Sequence, residues 1–183
     1  MRRGSKILLA ILLLGSLRAH ASEDPLGIHQ TIWGRVAEIH DLDPYQLYSV
    51  ALVEARRKWR DGLVRPWPWA ITKNGKAPKS YYPESREEAQ RILDQLLQET
   101  TNLDIGMMQI NYHWHGHRVA NPADLLDMQT NLEVAAMILT EALASAPADP
   151  ELGIGRYHSW QPSRARKYGK RVIFLTEVLR GGR

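Results

Sequence analysis

The sequence predicts a mainly α domain with one small β element, and three observations carry that reading. Apolar residues recur at helical spacing through the N-terminal half of the chain. Helix-start signals stand in front of those runs: Asp43 before Pro44, and Ser85 followed three residues later by Glu88. Between them, the Asn74-Gly75 dipeptide lies between two aromatic-rich strips, the pattern of a hairpin. With 183 residues and 44% apolar content, one compact domain with a real core is expected.

Each element follows in order. Ile28, Ile32, Val36 and Ile39 predict a first helix over Pro25 to His40. Asp43 caps a second helix and Pro44 starts it; Leu47, Val50, Ala51 and Ala55 give it a buried stripe, with Glu54 near its C-terminal end. From Arg65 to Pro83 the texture turns aromatic, with Pro66-Trp67-Pro68-Trp69-Ala70-Ile71 and Ser80-Tyr81-Tyr82 flanking the Asn-Gly turn. A third helix runs from the Ser85/Glu88 capping box through Ala89, Ile92, Leu93, Leu96 and Leu97 to about Thr100. Thr101 to His117 reads as loop, with one helical turn at Met107 to Ile110. Four more helices are expected: one opening at Asn121-Pro122, then Thr130 to Ser145, Pro150 to His158, and Pro162 to Arg180.

The first residues have a different character. Arg2, Arg3 and Lys6 precede an apolar run from Ile7 to Leu14, and Ala19-His20-Ala21 is a small-x-small cleavage site. A secretory signal peptide over 1–21 and a mature domain over 22–183 are expected; the run is short for a membrane anchor, since a span needs roughly 20 apolar residues. The full chain has 24 basic and 20 acidic residues, but 1–21 holds Arg2, Arg3, Lys6 and Arg18 and no acid, which leaves 20 of each. Nucleic acid is therefore not an expected partner. The cluster Arg164, Arg166, Lys167, Lys170 and Arg171 is read as a solvated helix face. No cysteine occurs, so an exported chain must rely on its core, which suits a periplasmic domain.

Three strips carry chemistry. A glutamate closing an apolar helix, as Glu54 does, is a general acid when its carboxyl lies in a partly dry cleft, and otherwise a solvated surface group. Gly106-Met107-Met108-Gln109-Ile110-Asn111 combines a close-approach glycine, two adaptable apolar side chains and two amides; it can hold a sugar, or form a buried turn. Tyr157 and His158 end a helix, where the phenol can bond a carboxylate or an N-acetyl group, or pack. Trp67, Trp69 and Trp114 can stack on sugar faces, with structural packing as the alternative for each. His113, His115 and His117 alternate, but with no cysteine and no helical His-x-x-x-His pair they read as loop histidines beside the groove, and no metal site is expected.

Taken together, the strips resemble the soluble lytic transglycosylases of the lysozyme superfamily, especially short periplasmic members linked to conjugation and secretion systems. Pro44 to Glu54 is similar to the family's "DP-x-LL-x-A-x-A-x-x-E" helix, Pro66 to Ile71 to "PWPW-x-(I/L)", Asp104 to Asn111 to "D-x-GLMQIN", and Leu132 to Leu139 to "NL-x-x-A-x-x-IL". Tyr157 stands where a family tyrosine follows a helix of small residues. The resemblance covers nearly the whole mature chain and implies a lysozyme-like (α+β) fold, periplasmic location, peptidoglycan glycan strands as partner, a monomer, and no cofactor. It also implies that Glu54 protonates the glycosidic oxygen between N-acetylmuramic acid and N-acetylglucosamine, then takes a proton from the muramyl O6 as a 1,6-anhydro ring closes. Gln109 and the backbone around Met107 and Met108 would touch sugar; Tyr157 would orient Glu54 or the muramyl N-acetyl group.

Two positions depart from the pattern. Ala55 stands where the family usually has serine, and His158 where many members have asparagine. Two other functions stay open on the same residues. A hydrolase would use a second carboxylate, for which Asp104 is the nearest candidate by motif. A wall-binding or assembly protein would keep the groove without turnover, and Ala55 is its best support.

Overall fold

The computed structural model describes residues 24–181. The signal peptide expected over 1–21, and its cleavage point, lie outside the described residues.

The chain is mainly α with a small antiparallel sheet, as the sequence predicted. The first predicted helix is in fact two pieces. Ile28–Gln30 makes a 3₁₀ turn, Thr31 is extended, and α1 (Ile32–Ile39) begins afresh with the Thr31 hydroxyl accepting from the Trp33 N–H at 3.2 Å. Thr31 is thus an N-cap and not helix interior, and Ile39, part of the predicted stripe, lies exposed. α2 (Pro44–Ala55) starts where expected, with the Asp43 carboxylate accepting from the Tyr45 N–H at 3.0 Å. Its stripe of Leu47, Val50, Ala51 and Ala55 is fully inside.

β1 (Arg56–Lys58) leaves α2 directly and pairs with β2 (Val64–Pro66), a hairpin the sequence reading missed. β3 (Ile71–Lys73) and β4 (Lys79–Tyr81) form the predicted hairpin, with Ile71 opposite Tyr81 and Lys73 opposite Lys79. Five residues, 74–78, join them, so Asn74-Gly75 begins a longer loop instead of a two-residue turn. The 101–117 segment, read as loop, supplies two more strands, β5 (Leu103–Ile105) and β6 (Ile110–Asn111), giving the strand order β4-β3-β5-β6. Leu103 and Ile105 are buried and Asp104 between them faces outward, an alternation visible in the sequence but only three residues long.

α3 (Arg86–Leu97) is capped by Ser85 accepting from the Glu88 N–H at 3.2 Å, while Glu88 reaches back one residue further than expected, to the Glu84 N–H at 2.8 Å. α4 (Tyr112–His115) runs into a 3₁₀ turn over Gly116–Arg118, and another 3₁₀ turn, over Pro122–Leu126, stands where a helix opening at Asn121-Pro122 is expected. α5 (Met128–Ala144), α6 (Pro150–Arg156) and α7 (Pro162–Leu179) complete the chain within two residues of their predicted bounds. α7 packs against both α2 and α6, and α5 against α6 and α1, closing one core around Leu47, Leu93, Ile105, Leu132, Leu139 and Val172.

Candidate active site

Glu54 occupies the last turn of α2, where the helix leaves the core and the chain turns into β1. Glu54 follows Leu47, Val50 and Ala51 at seven, four and three residues and so continues their buried face to the end of the helix, where its carboxyl lines a cleft of about 840 Å³. Asp104 and Asn111 line the same cleft from the sheet, Ile138 and Glu141 from α5, and Tyr157, His158 and Trp160 from the chain after α6. Residues from three other parts of the sequence thus meet around one half-buried acid.

The electrostatics of that acid are unusual. Burial pushes the Glu54 carboxyl from its ordinary value up to about 7; a hydrogen bond from Tyr168 pulls it down, the Asp104 charge pushes it further up, and the Arg171 charge opposes that. The Tyr168 hydroxyl donates to Glu54 Oε1 at 2.6 Å. Burial in turn holds the Tyr168 phenol well above its usual range, so it remains a proton donor at every working pH. The close approach of α7 to α6 brings it there: a Cβ on Gly169 would sit 2.0 Å from the Glu151 carbonyl oxygen, so only glycine allows the contact.

Asp104, in the middle of β5, is half-buried and accepts from the Asn111 amide at 2.7 Å. Burial raises its carboxyl above the ordinary range, while the Asn74 and Asn111 amides and the nearby His158 oppose the rise. Asn111 also donates to Asn102 at 3.0 Å and caps α4 by accepting from the Trp114 N–H at 3.3 Å.

The sequence reading placed seven residues on the substrate beside Glu54, and the structure divides them. Gln109, Asn111, Tyr157 and His158 line the cleft. Gly106, Met107 and Met108 do not: both methionine side chains are buried in the core, and the glycine is the pivot of a turn beneath the cleft floor. Asn131, which was not singled out, holds that turn. Its amide, 1% exposed, accepts from the Met108 N–H at 2.9 Å and donates to the Ile105 and Leu125 carbonyls at 2.9 and 3.0 Å. Gly106 has φ +81°, and a Cβ there would lie 2.3 Å from the Asn131 amide nitrogen. Gln109 is also committed to structure. Its amide donates to the Ala70 and Gly106 carbonyls at 3.1 and 2.9 Å and accepts from the Thr72 hydroxyl at 2.7 Å, holding a backbone at φ +47°.

The resemblance gives Tyr157 either Glu54 or the muramyl N-acetyl group to orient; its hydroxyl donates to the Met108 carbonyl at 2.8 Å and not to Glu54. The residue on the carboxyl is Tyr168, one helix later. Spacing offered no signal for it, because the contact joins residues 114 positions apart. Trp67 and Trp69 pack: the Trp67 indole donates to the Pro83 carbonyl at 2.8 Å and Trp69 lies against the core. Trp114, by contrast, stands 69% exposed in the cleft wall, and Trp160, 68% exposed, faces the cleft beside Arg156. His113 and His117, read as loop, fall about one turn apart on α4 and the 3₁₀ turn that follows. No group of three ligating side chains that could hold a metal occurs among the described residues.

The chain matches no protein-family model, no characterised protein and no solved structure.

Proposed function

We propose that this chain is a peptidoglycan lytic transglycosylase with Glu54 as its acid and base. The observation that carries the reading is the half-buried Glu54 carboxyl in an open cleft, held at about 7, so that protonated and ionised forms coexist near neutral pH. That balance suits a group which must first give a proton and then accept one. The resemblance of four ordered sequence strips to the soluble lytic transglycosylases supplies the substrate and reaction class.

In the first step Glu54 gives its proton to the oxygen linking N-acetylmuramic acid to N-acetylglucosamine, and the bond from the muramyl C1 to that oxygen breaks. Positive charge builds on C1, where the substrate's own N-acetyl carbonyl shields it. The Glu54 carboxylate then takes the proton of the muramyl O6 hydroxyl as O6 bonds to C1, leaving a 1,6-anhydro ring. No water is consumed, and one carboxyl suffices where ordinary glycosidases use two. Tyr157 and Asn111 line the same cleft and are the groups assigned to the acetamido group, and the exposed Trp114 and Trp160 offer flat faces to sugar rings. The proposal includes export to the periplasm and, by resemblance alone, service to a conjugation or secretion apparatus.

A second reading has its own observation. Asp104 lines the same cleft and its charge acts on Glu54, so hydrolysis with two carboxyls is a defined competitor. Mass spectrometry of muropeptides released from purified sacculi by the mature chain, beside a Glu54→Gln variant, separates the readings. Products with 1,6-anhydromuramic ends that vanish with the variant are expected. Reducing muramyl ends would establish the hydrolase, and no release by either protein would leave a wall-binding role.

A further inference from the structure

The hairpin that leaves α2 concentrates positive charge on an otherwise acidic domain. Residues 56–66 hold Arg56, Arg57, Lys58, Arg60 and Arg65 against Asp61 alone, a net charge of +4. Residues 22–183 hold 20 basic and 20 acidic residues, so everything outside the hairpin sums to −4. Exposed carboxylates meet two of the five cations, Glu84 on Arg60 at 2.9 Å and Asp61 on Arg65 at 2.8 Å. Arg56, Arg57 and Lys58 pair with no carboxylate among the described residues.

β1 and β2 form a sheet of their own, and β1 is exposed at all three positions, hence on both of its faces. At the tip the Trp59 N–H donates to the Leu63 carbonyl at 2.8 Å and the Leu63 N–H to the Asp61 carboxylate at 3.0 Å, around Gly62 at φ +86°. Leu63 and Val64 follow, 56% and 53% exposed, and no other two adjacent large apolar residues are exposed among the described residues. The base is stiff. The Arg57 guanidinium lies 4.9 Å from the Trp67 ring and 5.0 Å from the Tyr82 ring, and the Trp59 and Trp67 rings are 5.0 Å apart.

We propose that this hairpin docks the protein on a bilayer surface rich in anionic phospholipid, with Leu63 and Val64 entering the interface and Arg56, Lys58 and Arg60 on the headgroups. Charge complementarity carries the choice: anionic headgroups attract the +4 hairpin and repel the remaining −4, which orients the domain tip downward. Exposure on both faces favours a bilayer over a protein, since a protein surface covers one face of a strand pair and an interface surrounds it. The long cationic side chains keep their charge at the headgroups while their stems lie along the apolar tip. No helix of the described residues is long and apolar enough to cross a membrane, so the contact is peripheral. β1 begins two residues after Glu54, and docking therefore holds the cleft close to the bilayer. The inference does not depend on Glu54 being an acid and base.

The test is co-sedimentation of the mature chain, 22–183, with vesicles of phosphatidylcholine alone or mixed equally with phosphatidylglycerol. The apolar run at 7–14 is left out because it would bind lipid by itself. Binding is expected to be about tenfold or more stronger on the mixed vesicles, and to fall as salt shortens the screening length from about 10 Å at 0.1 M to about 3 Å at 1 M. Each cation at the surface contributes a factor of about five, so Arg56→Ser with Lys58→Ser should weaken binding about twentyfold. Leu63→Ser with Val64→Ser should weaken it about tenfold and leave the salt dependence as in wild type, because no charge is lost. Arg164→Ser with Lys167→Ser, on α7, should change nothing. All six side chains are exposed, so every variant is expected to fold, and equal melting temperatures check this.

Equal binding to both vesicles, or hairpin variants that bind like wild type, would overturn the proposal. Loss in the α7 pair alone would move the surface to α7, and an unchanged Leu63/Val64 variant would overturn insertion of the tip. No binding by wild type would also overturn it and leave the hairpin to an acidic protein. Vesicle binding needs no turnover, so its outcome is separate from whether the chain cuts glycan.

Discussion

Replacing Glu54 with Gln should make the protein less active and more stable, and the size of the second effect follows from the site. In the fold the carboxyl titrates at about 7 instead of its ordinary 4.5, because burial penalises the charge. At about 1.4 kcal/mol per unit, ionising Glu54 costs the folded state about 3 kcal/mol. The folded-state value lies above the unfolded one, so the folded protein binds the proton more tightly. Stability is thus highest below pH 4.5, falls as pH rises through the window from 4.5 to about 7, and stays low above it. Gln has no charge to lose, and its amide oxygen can still accept from Tyr168. Wild type and Glu54→Gln should therefore match near pH 4.5 and separate by about 3 kcal/mol at pH 8, roughly 6–12 °C in melting temperature. The assay is urea unfolding of both proteins at pH 4.5, 6 and 8. A constant difference across the three pH values would show that the Glu54 carboxyl is not desolvated in solution, and would remove the observation on which the acid/base reading stands.

Other expectations test the remaining parts of the site. Gly106→Ala must force a side chain onto the Asn131 amide at a positive φ, and should destabilise by about 2–4 kcal/mol in denaturant titration; a neutral result would show that the turn under the cleft can shift. Tyr157→Phe strands the Met108 carbonyl and should cost about 1–2 kcal/mol in thermal unfolding, while moving the Glu54 titration midpoint less than Tyr168→Phe does. Trp114→Ala and Trp160→Ala remove exposed rings, so melting should change by less than about 0.5 kcal/mol. Binding to insoluble sacculi, measured by co-sedimentation, should weaken about fivefold or more for each, as loss of about 1 kcal/mol of stacking implies; undiminished binding by both would place the glycan elsewhere.

The helices and their starts could be read from the chain alone because their causes are local. Asp43 before Pro44, Ser85 before Glu88, and the apolar stripe of α2 each act within about one turn of backbone, so neighbouring letters suffice. The position of Glu54 at the mouth of α2 was legible for the same reason. Where local causes compete, the sequence pattern misleads. Thr31 fits a helical pattern but its hydroxyl caps the next one, and Leu103 to Ile105 alternates too briefly to stand out from a loop.

The partners of Glu54 were settled only by the fold. Tyr168 reaches the carboxyl because α7 crosses α2 and approaches α6 closely at Gly169, and no feature of residues 160–180 by themselves points there. Met107 and Met108 looked like ligand contacts because soft apolar side chains beside a glycine suit either a sugar or a core; Asn131, more than 20 residues away, turns that strip inward by bonding its backbone. The pKa of the acid follows the same division. A sequence can place a glutamate at the end of an apolar helix, but how much water reaches it depends on what long-range packing stacks around it.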